Sequence, residues 1–130
     1  MDLDCEILDN IEELFSCLDA HELAICPDSL YNTLYNSGVI VFRRDSKLIQ
    51  RCADLCLKES CQYWCDDRVL SHLLQQDPHM WYELPLIYNW KLSQGIPIYA
   101  KIIHWCGEWG KCYIAKHGGM KKLLRGDAVR

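Results

Sequence analysis

The five residues Gly38-Val39-Ile40-Val41-Phe42 form an unbroken apolar run rich in β-branched side chains. That run constrains the fold more than any other feature of the chain. A continuous run of this kind predicts a strand buried on both faces, a position found in sheets covered by helices. Leu23 to Cys26, stopped by Pro27-Asp28, predicts a shorter strand beside it. The stretch from Ile98 to Trp105 predicts a last one. Helices are expected in between. Asn10 with Glu13 three residues on has the capping-box spacing, followed by an Ile11, Leu14, Phe15, Leu18 stripe. Asp45 is placed to cap a helix carrying Leu48, Cys52, Leu55 and Cys56, and Asp66 one carrying Val69, Leu70, Leu73 and Leu74. Residues 28–35 read as loop or helical turn, Gly95-Ile96-Pro97 as a turn, and Gly107 to Gly110 as a flexible loop around Glu108, Trp109 and Lys111. Strands alternating with helices predict an α/β fold.

The 130 residues fit one domain, and half of them are hydrophobic, enough for a core. The net charge of −4 argues against a nucleic-acid partner, and the basic residues Lys116, Lys121, Lys122 and Arg125 form only a local cluster. No window is long and apolar enough to span a bilayer, so no membrane span is expected. The opening residues Asp2, Asp4 and Glu6 are acidic where a secretory signal would be basic, which predicts a cytoplasmic chain. Nine cysteines occur without a single Cys-x-x-Cys pair. Cys52, Cys56, Cys61 and Cys65 fall in or near a helical stretch, where a thiol is usually a small buried hydrophobe; a cysteine-rich zinc module is the minor alternative.

The chemistry concentrates at Asp2-Leu3-Asp4. On a strand, positions i and i+2 face the same way with roughly 6 to 7 Å between Cα atoms, so both carboxylates can grip one hard divalent cation, Mn²⁺ or Mg²⁺. With eleven aspartates in the chain, about one Asp-x-Asp is expected by chance. Context supplies the weight. The run Met1-Asp2-Leu3-Asp4-Cys5-Glu6-Ile7-Leu8-Asp9-Asn10-Ile11-Glu12-Glu13-Leu14-Phe15 resembles the strand-to-helix signature of glycosyltransferase family 8, a group of GT-A type nucleotide-diphospho-sugar transferases. Four further segments resemble the family in its own order: Asn36-Ser37-Gly38-Val39, Asp66-Asp67-Arg68-Val69-Leu70, Leu84-Pro85 with Tyr88-Asn89-Trp90, and Ile102-Ile103-His104-Trp105-Cys106-Gly107. The likeness covers residues 1 to about 113 and leaves 114–130 as a tail.

The resemblance implies a mixed-sheet second half of a GT-A fold, lacking most of the nucleotide-binding half that precedes Asp-x-Asp in the family. It implies Asp2, Asp4 and His104 as ligands of Mn²⁺ or Mg²⁺. Lys111 and Gly107 would lie at the diphosphate of a nucleotide-sugar donor, and Asn36, Asp66 and Asp67 around the transferred sugar. Trp105 and Trp109 are the nominated sugar platforms among Trp64, Trp81, Trp90, Trp105 and Trp109. The implied reaction passes the sugar to a hydroxyl of a carbohydrate or protein acceptor with retained configuration. Two residues depart from the pattern: Asp67 stands where the family commonly has Gln, and Lys111 is displaced by one position. Because the chain opens on the metal motif, we expect a truncated product or one half of a split enzyme, with weak or absent transferase activity by itself. The alternative is a non-catalytic remnant that binds a second chain through its uncovered sheet.

Overall fold

The computed structural model describes residues 1–28, 34–58, 60–63, 65–95 and 98–120. Trp64, Ile96-Pro97, most of the 28–35 segment, and Lys121, Lys122 and Arg125 lie outside the described residues. Among the described residues, three strands are followed by three α-helices, two more strands and a last helix: β1 (Cys5–Ile7), β2 (Leu23–Pro27), β3 (Tyr35–Phe42), α1 (Lys47–Lys58), α2 (Ser60–Tyr63), α3 (Asp66–Gln76), β4 (Trp81–Glu83), β5 (Ile102–His104) and α4 (Gly107–His117). The architecture is mixed α/β. One sheet has the order β3-β2-β4, antiparallel on the β3 side and parallel on the β4 side. β1 and β5 form a separate antiparallel ladder.

β2 is the centre of the core. Leu23, Ala24, Ile25 and Cys26 are all fully buried, and alternation sends them to opposite faces. Leu23 and Ile25 pack with Leu48 and Cys52 of α1 and with Val69, Leu70, Leu73 and Leu74 of α3. Ala24 and Cys26 pack on the other face with Leu14, Val39, Leu84, Tyr88 and Ile102. The strand buried on both faces is thus β2, and not the Gly38–Phe42 run of β3 for which that burial was expected. Gly38 to Phe42 loses its burial toward the end, and Phe42 is 50% exposed. The reason is its place at the edge of its sheet.

Helix starts depart from expectation in an instructive way. Ser46, not Asp45, begins α1: its Oγ accepts from the Ile49 N–H at 3.3 Å, while Asp45 is exposed beside Arg43. Cys65 stands at the start of α3, and Asp66 and Asp67 occupy its first turn. Asn10 Oδ1 accepts from the Glu12 N–H at 2.8 Å, but Ile11 and not Asn10 stands at the cap position, and only a 3₁₀ turn follows, Glu12–Phe15. The stripe predicted there breaks, since Leu14 is buried while Phe15 is 81% exposed. Glu13 cannot close a capping box because its carboxylate is taken elsewhere. It accepts from Tyr88 Oη at 2.6 Å and pairs with Lys101 Nζ. The last expected strand shortens to β5, with Ile98 and Tyr99 exposed. The 107–110 loop and the start of the tail are a helix, α4. Its Gly110 lies so close to the end of β5 that an added Cβ would meet Trp105 O at 2.4 Å.

The Lys101 ammonium and the Tyr88 hydroxyl hold the Glu13 carboxyl down at about 2. A carboxyl depressed on folding stabilises the fold above its unfolded value, near 4.5, and that contribution is lost as pH falls from there towards 2. Glu13→Gln is therefore expected to flatten the acid limb of the stability curve in that window, leaving the neutral limb in shape. Denaturant unfolding at pH 2.5, 4 and 6 measures it; parallel curves for both proteins would refute the assignment.

Candidate metal centre

Asp2-Leu3-Asp4 does not lie on a strand as expected: it precedes β1, with Leu3-Asp4 in a turn, and backbone hydrogen bonds hold both aspartates in place. The Asp2 N–H donates to Gly38 O at 2.8 Å, and Trp105 N donates to Asp4 O at 2.8 Å. These bonds dock the opening residues against β3 on one side and the end of β5 on the other. His104 is the last residue of β5 and lies across the ladder from Cys5. Its Nε2 stands 3.4 Å from Asp4 Oδ1 and 3.6 Å from Asp2 Oδ2. Residues a hundred positions apart thus meet at one point.

What the imidazole offers there is decided by its other edge. His104 Nδ1 faces two amide oxygens, Asn36 Oδ1 at 3.1 Å and Asn89 Oδ1 at 3.0 Å. The orientation of the Asn36 amide is fixed by its neighbours. Its oxygen accepts from the Gly38 N–H at 3.2 Å, and its nitrogen donates to Asp67 Oδ2 at 3.2 Å. Two acceptors at Nδ1 require the proton to sit there. Burial is the main force on the ring and pushes its pKa down, with the carboxylates of Asp4 and Asp2 opposing. In the neutral ring, the Nε2 lone pair points at two carboxylates. Three electron-rich groups converging with no proton between them are repulsive until a cation joins them, and two oxygens with an imidazole suit a divalent ion.

The cleft around this point has a volume of about 490 Å³ and is lined by Asp2, Asp4, Asn36, Ser37, Asp66, Asp67, His104, Cys106, Gly107 and Lys111. Eight of the ten residues nominated from sequence line it. Their roles separate on inspection. Asp67 is turned inward: one carboxylate oxygen accepts from the Ser37 N–H and the other from Asn36. Burial raises its pKa, and the Ser37 bonds work against that rise. Asp67 and Asn36 therefore act as positioning residues for His104, their hydrogen bonds directed at each other and at the ring. Asp66 lies at the cleft wall in the first turn of α3. Lys111 Nζ is 3.6 Å from Asp4 Oδ2 on a side chain 65% exposed, a cation paired at the rim of the cleft. Trp105 does not line the cleft, and neither does Trp109. Trp105 is buried. It is 1% exposed, its ring stacks on Tyr113 and its Nε1 donates to Glu6 at 3.3 Å, so it belongs to the core. Trp109, one helical turn on, is exposed.

Three residues that matter here were not nominated from sequence. Asn89 holds both His104 and Asn36, donating to Asn36 Oδ1 at 2.8 Å; its signal was the Tyr88-Asn89 pair. Gly38 carries no functional group, yet a Cβ there would lie 2.2 Å from His104 Nδ1 and 2.4 Å from its Cε1. Cys5 has its Sγ 3.5 Å from Gly38 O. Its thiol is pushed up to about 12, first by burial and then by Asp2 and Asp4. Among the described residues, Asp4, Cys5 and His104 form the cluster in which three metal-ligating side chains come together. No protein-family model matches the chain, and no curated protein matches it.

Gly38→Ala should fold but displace the His104 ring, because rigid backbone carries the new methyl into the imidazole. The expected result is loss of divalent-ion binding by about tenfold or more, comparable with removal of a ligand's supporting partner. Calorimetric Mn²⁺ titration checks it, and wild-type affinity in the variant would show that the ring can move aside.

Proposed function

We propose that the chain carries the metal-site portion of a GT-A type glycosyltransferase resembling family 8. It would act on a nucleotide-diphosphate sugar and transfer the sugar to an acceptor hydroxyl with retention. The observation that carries this reading is the convergence of the Asp2 and Asp4 carboxylates with His104 Nε2, in one cleft with Asn36, Asp66, Asp67, Gly107 and Lys111. Segments that resemble the family in sequence order are drawn from β1, β3, α3 and the β5–α4 junction, and they meet at this cleft.

Asp2, Asp4 and His104 would hold Mn²⁺ or Mg²⁺, which when bound neutralises charge on the leaving diphosphate. The remaining chemistry falls to the chain itself. Asn36 and Asn89 keep the His104 proton on Nδ1 and its lone pair free on Nε2. Lys111 is a point charge at the rim, placed for phosphate oxygens beyond the carboxylates. The N-terminus of α4 starts at Gly107 on the wall of the same cleft, and a helix N-terminus favours negative charge. Asp66 is the carboxylate left to face a sugar, since Asp67 is engaged with β3.

A second reading, a non-catalytic remnant that binds a partner chain, is favoured by one feature. An open apolar groove of about 320 Å³ runs along Ile11, Leu14, Phe15, Val39, Ile40, Val41, Phe42 and Ile102. Calorimetry with a panel of nucleotide sugars, with and without Mn²⁺, separates the two. The transferase reading expects Mn²⁺-dependent binding that Asp4→Asn lowers by more than about tenfold. Nucleotide-sugar binding that persists unchanged in a chelator, or none at any Mn²⁺ concentration, would end it.

A further inference from the structure

Cys5 gives this centre a donor that a hard cation does not want. Cys5 and His104 are directly paired across the β1–β5 ladder, so their side chains leave the same face. An Asp4 carboxylate oxygen, Cys5 Sγ and a His104 ring nitrogen lie within 4.8 Å of one another. Since Nδ1 is committed to Asn36 and Asn89, Nε2 is the nitrogen open to a ligand. The thiol itself is tied only loosely, by its long contact to Gly38 O.

Metal ions sort donors by softness. Mn²⁺ and Mg²⁺ prefer carboxylate, carbonyl and water oxygens, whereas Zn²⁺ readily combines thiolate, imidazole and carboxylate in a four-coordinate shell. We propose that the centre has a second, thiolate mode, in which a zinc-class ion is held by Asp4, Cys5 and His104 with Asp2 as fourth ligand. The Cys5 S–H bond breaks, its proton passes to water and a sulfur–metal bond forms, with no change of oxidation state. Four protein ligands close the tetrahedron, and a closed shell leaves no position for a diphosphate oxygen. Zinc would therefore switch off whatever nucleotide binding Mn²⁺ supports. The inference rests on the metal reading of the same centre and not on sugar transfer.

Cobalt(II) reports the ligand set in place of zinc. With one equivalent of Co²⁺, the wild-type chain is expected to show a thiolate-to-metal charge-transfer absorption that Cys5→Ser lacks, although the other cysteines remain. Zn²⁺ affinity should fall about tenfold or more in Cys5→Ser, while Mn²⁺ affinity stays as in wild type. An identical band in both proteins would assign the sulfur to another cysteine and overturn the proposal. Should Cys5→Ser not fold, ¹¹³Cd resonance of the wild-type chain gives the answer by itself: a shift typical of one thiolate supports the thiolate mode, and a shift of an all-oxygen-and-nitrogen site overturns it. Mn²⁺ binding with no thiolate signature removes this inference and leaves the proposed function standing. A cobalt–thiolate band lost in Cys5→Ser, without Mn²⁺-dependent nucleotide binding, does the reverse.

Discussion

The grip of two asparagine side chains on one edge of a buried imidazole organises the centre of this molecule. Asn36 and Asn89 come from different elements, and each supplies an oxygen to His104 Nδ1. That arrangement makes three choices at once. It fixes the ring plane, it fixes the tautomer, and it leaves the far nitrogen as a lone pair aimed at Asp2 and Asp4. Each of these buried amides would cost about 1–3 kcal/mol if left unpaired, so the network is held by the penalty of breaking it as much as by its bonds. Asp67 extends the same chain to α3, and Gly38 gives the ring the space it occupies.

Around this network the fold is built to bring distant termini of elements together. β2 is buried on both faces and carries the two halves of the core, which orients β3 against α3 and the 86–88 turn. The end of β2 is further tied by Asp28, whose carboxylate pairs with Lys91 Nζ at 2.8 Å with both side chains buried. Removing one partner of such a pair leaves a charge in the interior, at about 3–5 kcal/mol. The pair lies near His104, and the ammonium adds to the forces that keep the ring neutral. Structural and candidate functional groups therefore share one polar interior.

Local elements were legible where one segment carries its own signal. The β2 strand and the α1 and α3 stripes follow from periodicity and from the stop at Pro27. The errors fall where a competing partner is far away in sequence. Glu13 spends its carboxylate on Lys101 and Tyr88, and a capping box becomes one 3₁₀ turn. Glu22 accepts from Ser46 and from the Leu48 N–H, which moves the start of α1 off Asp45. Two glycines at 107 and 110 suggested a loop, but Gly110 is there to let a helix backbone touch β5. In Trp105 the sequence shows a large ring beside a histidine, and only packing reveals that Tyr113 covers it.

The amino-acid order alone determined which residue types are available for chemistry: two aspartates one residue apart, a histidine closing an apolar strand, and an asparagine opening another. Those are local properties, read from spacing along the chain. Tertiary structure decided what each one does. Whether Asp67 faces a ligand or a neighbour, whether Nδ1 or Nε2 carries the proton, and whether Cys5 is core or ligand all depend on contacts between segments 30 to 100 residues apart. Such contacts are fixed by packing geometry and by the cost of burying an unpaired polar group, and neither quantity is written in any single stretch of the chain.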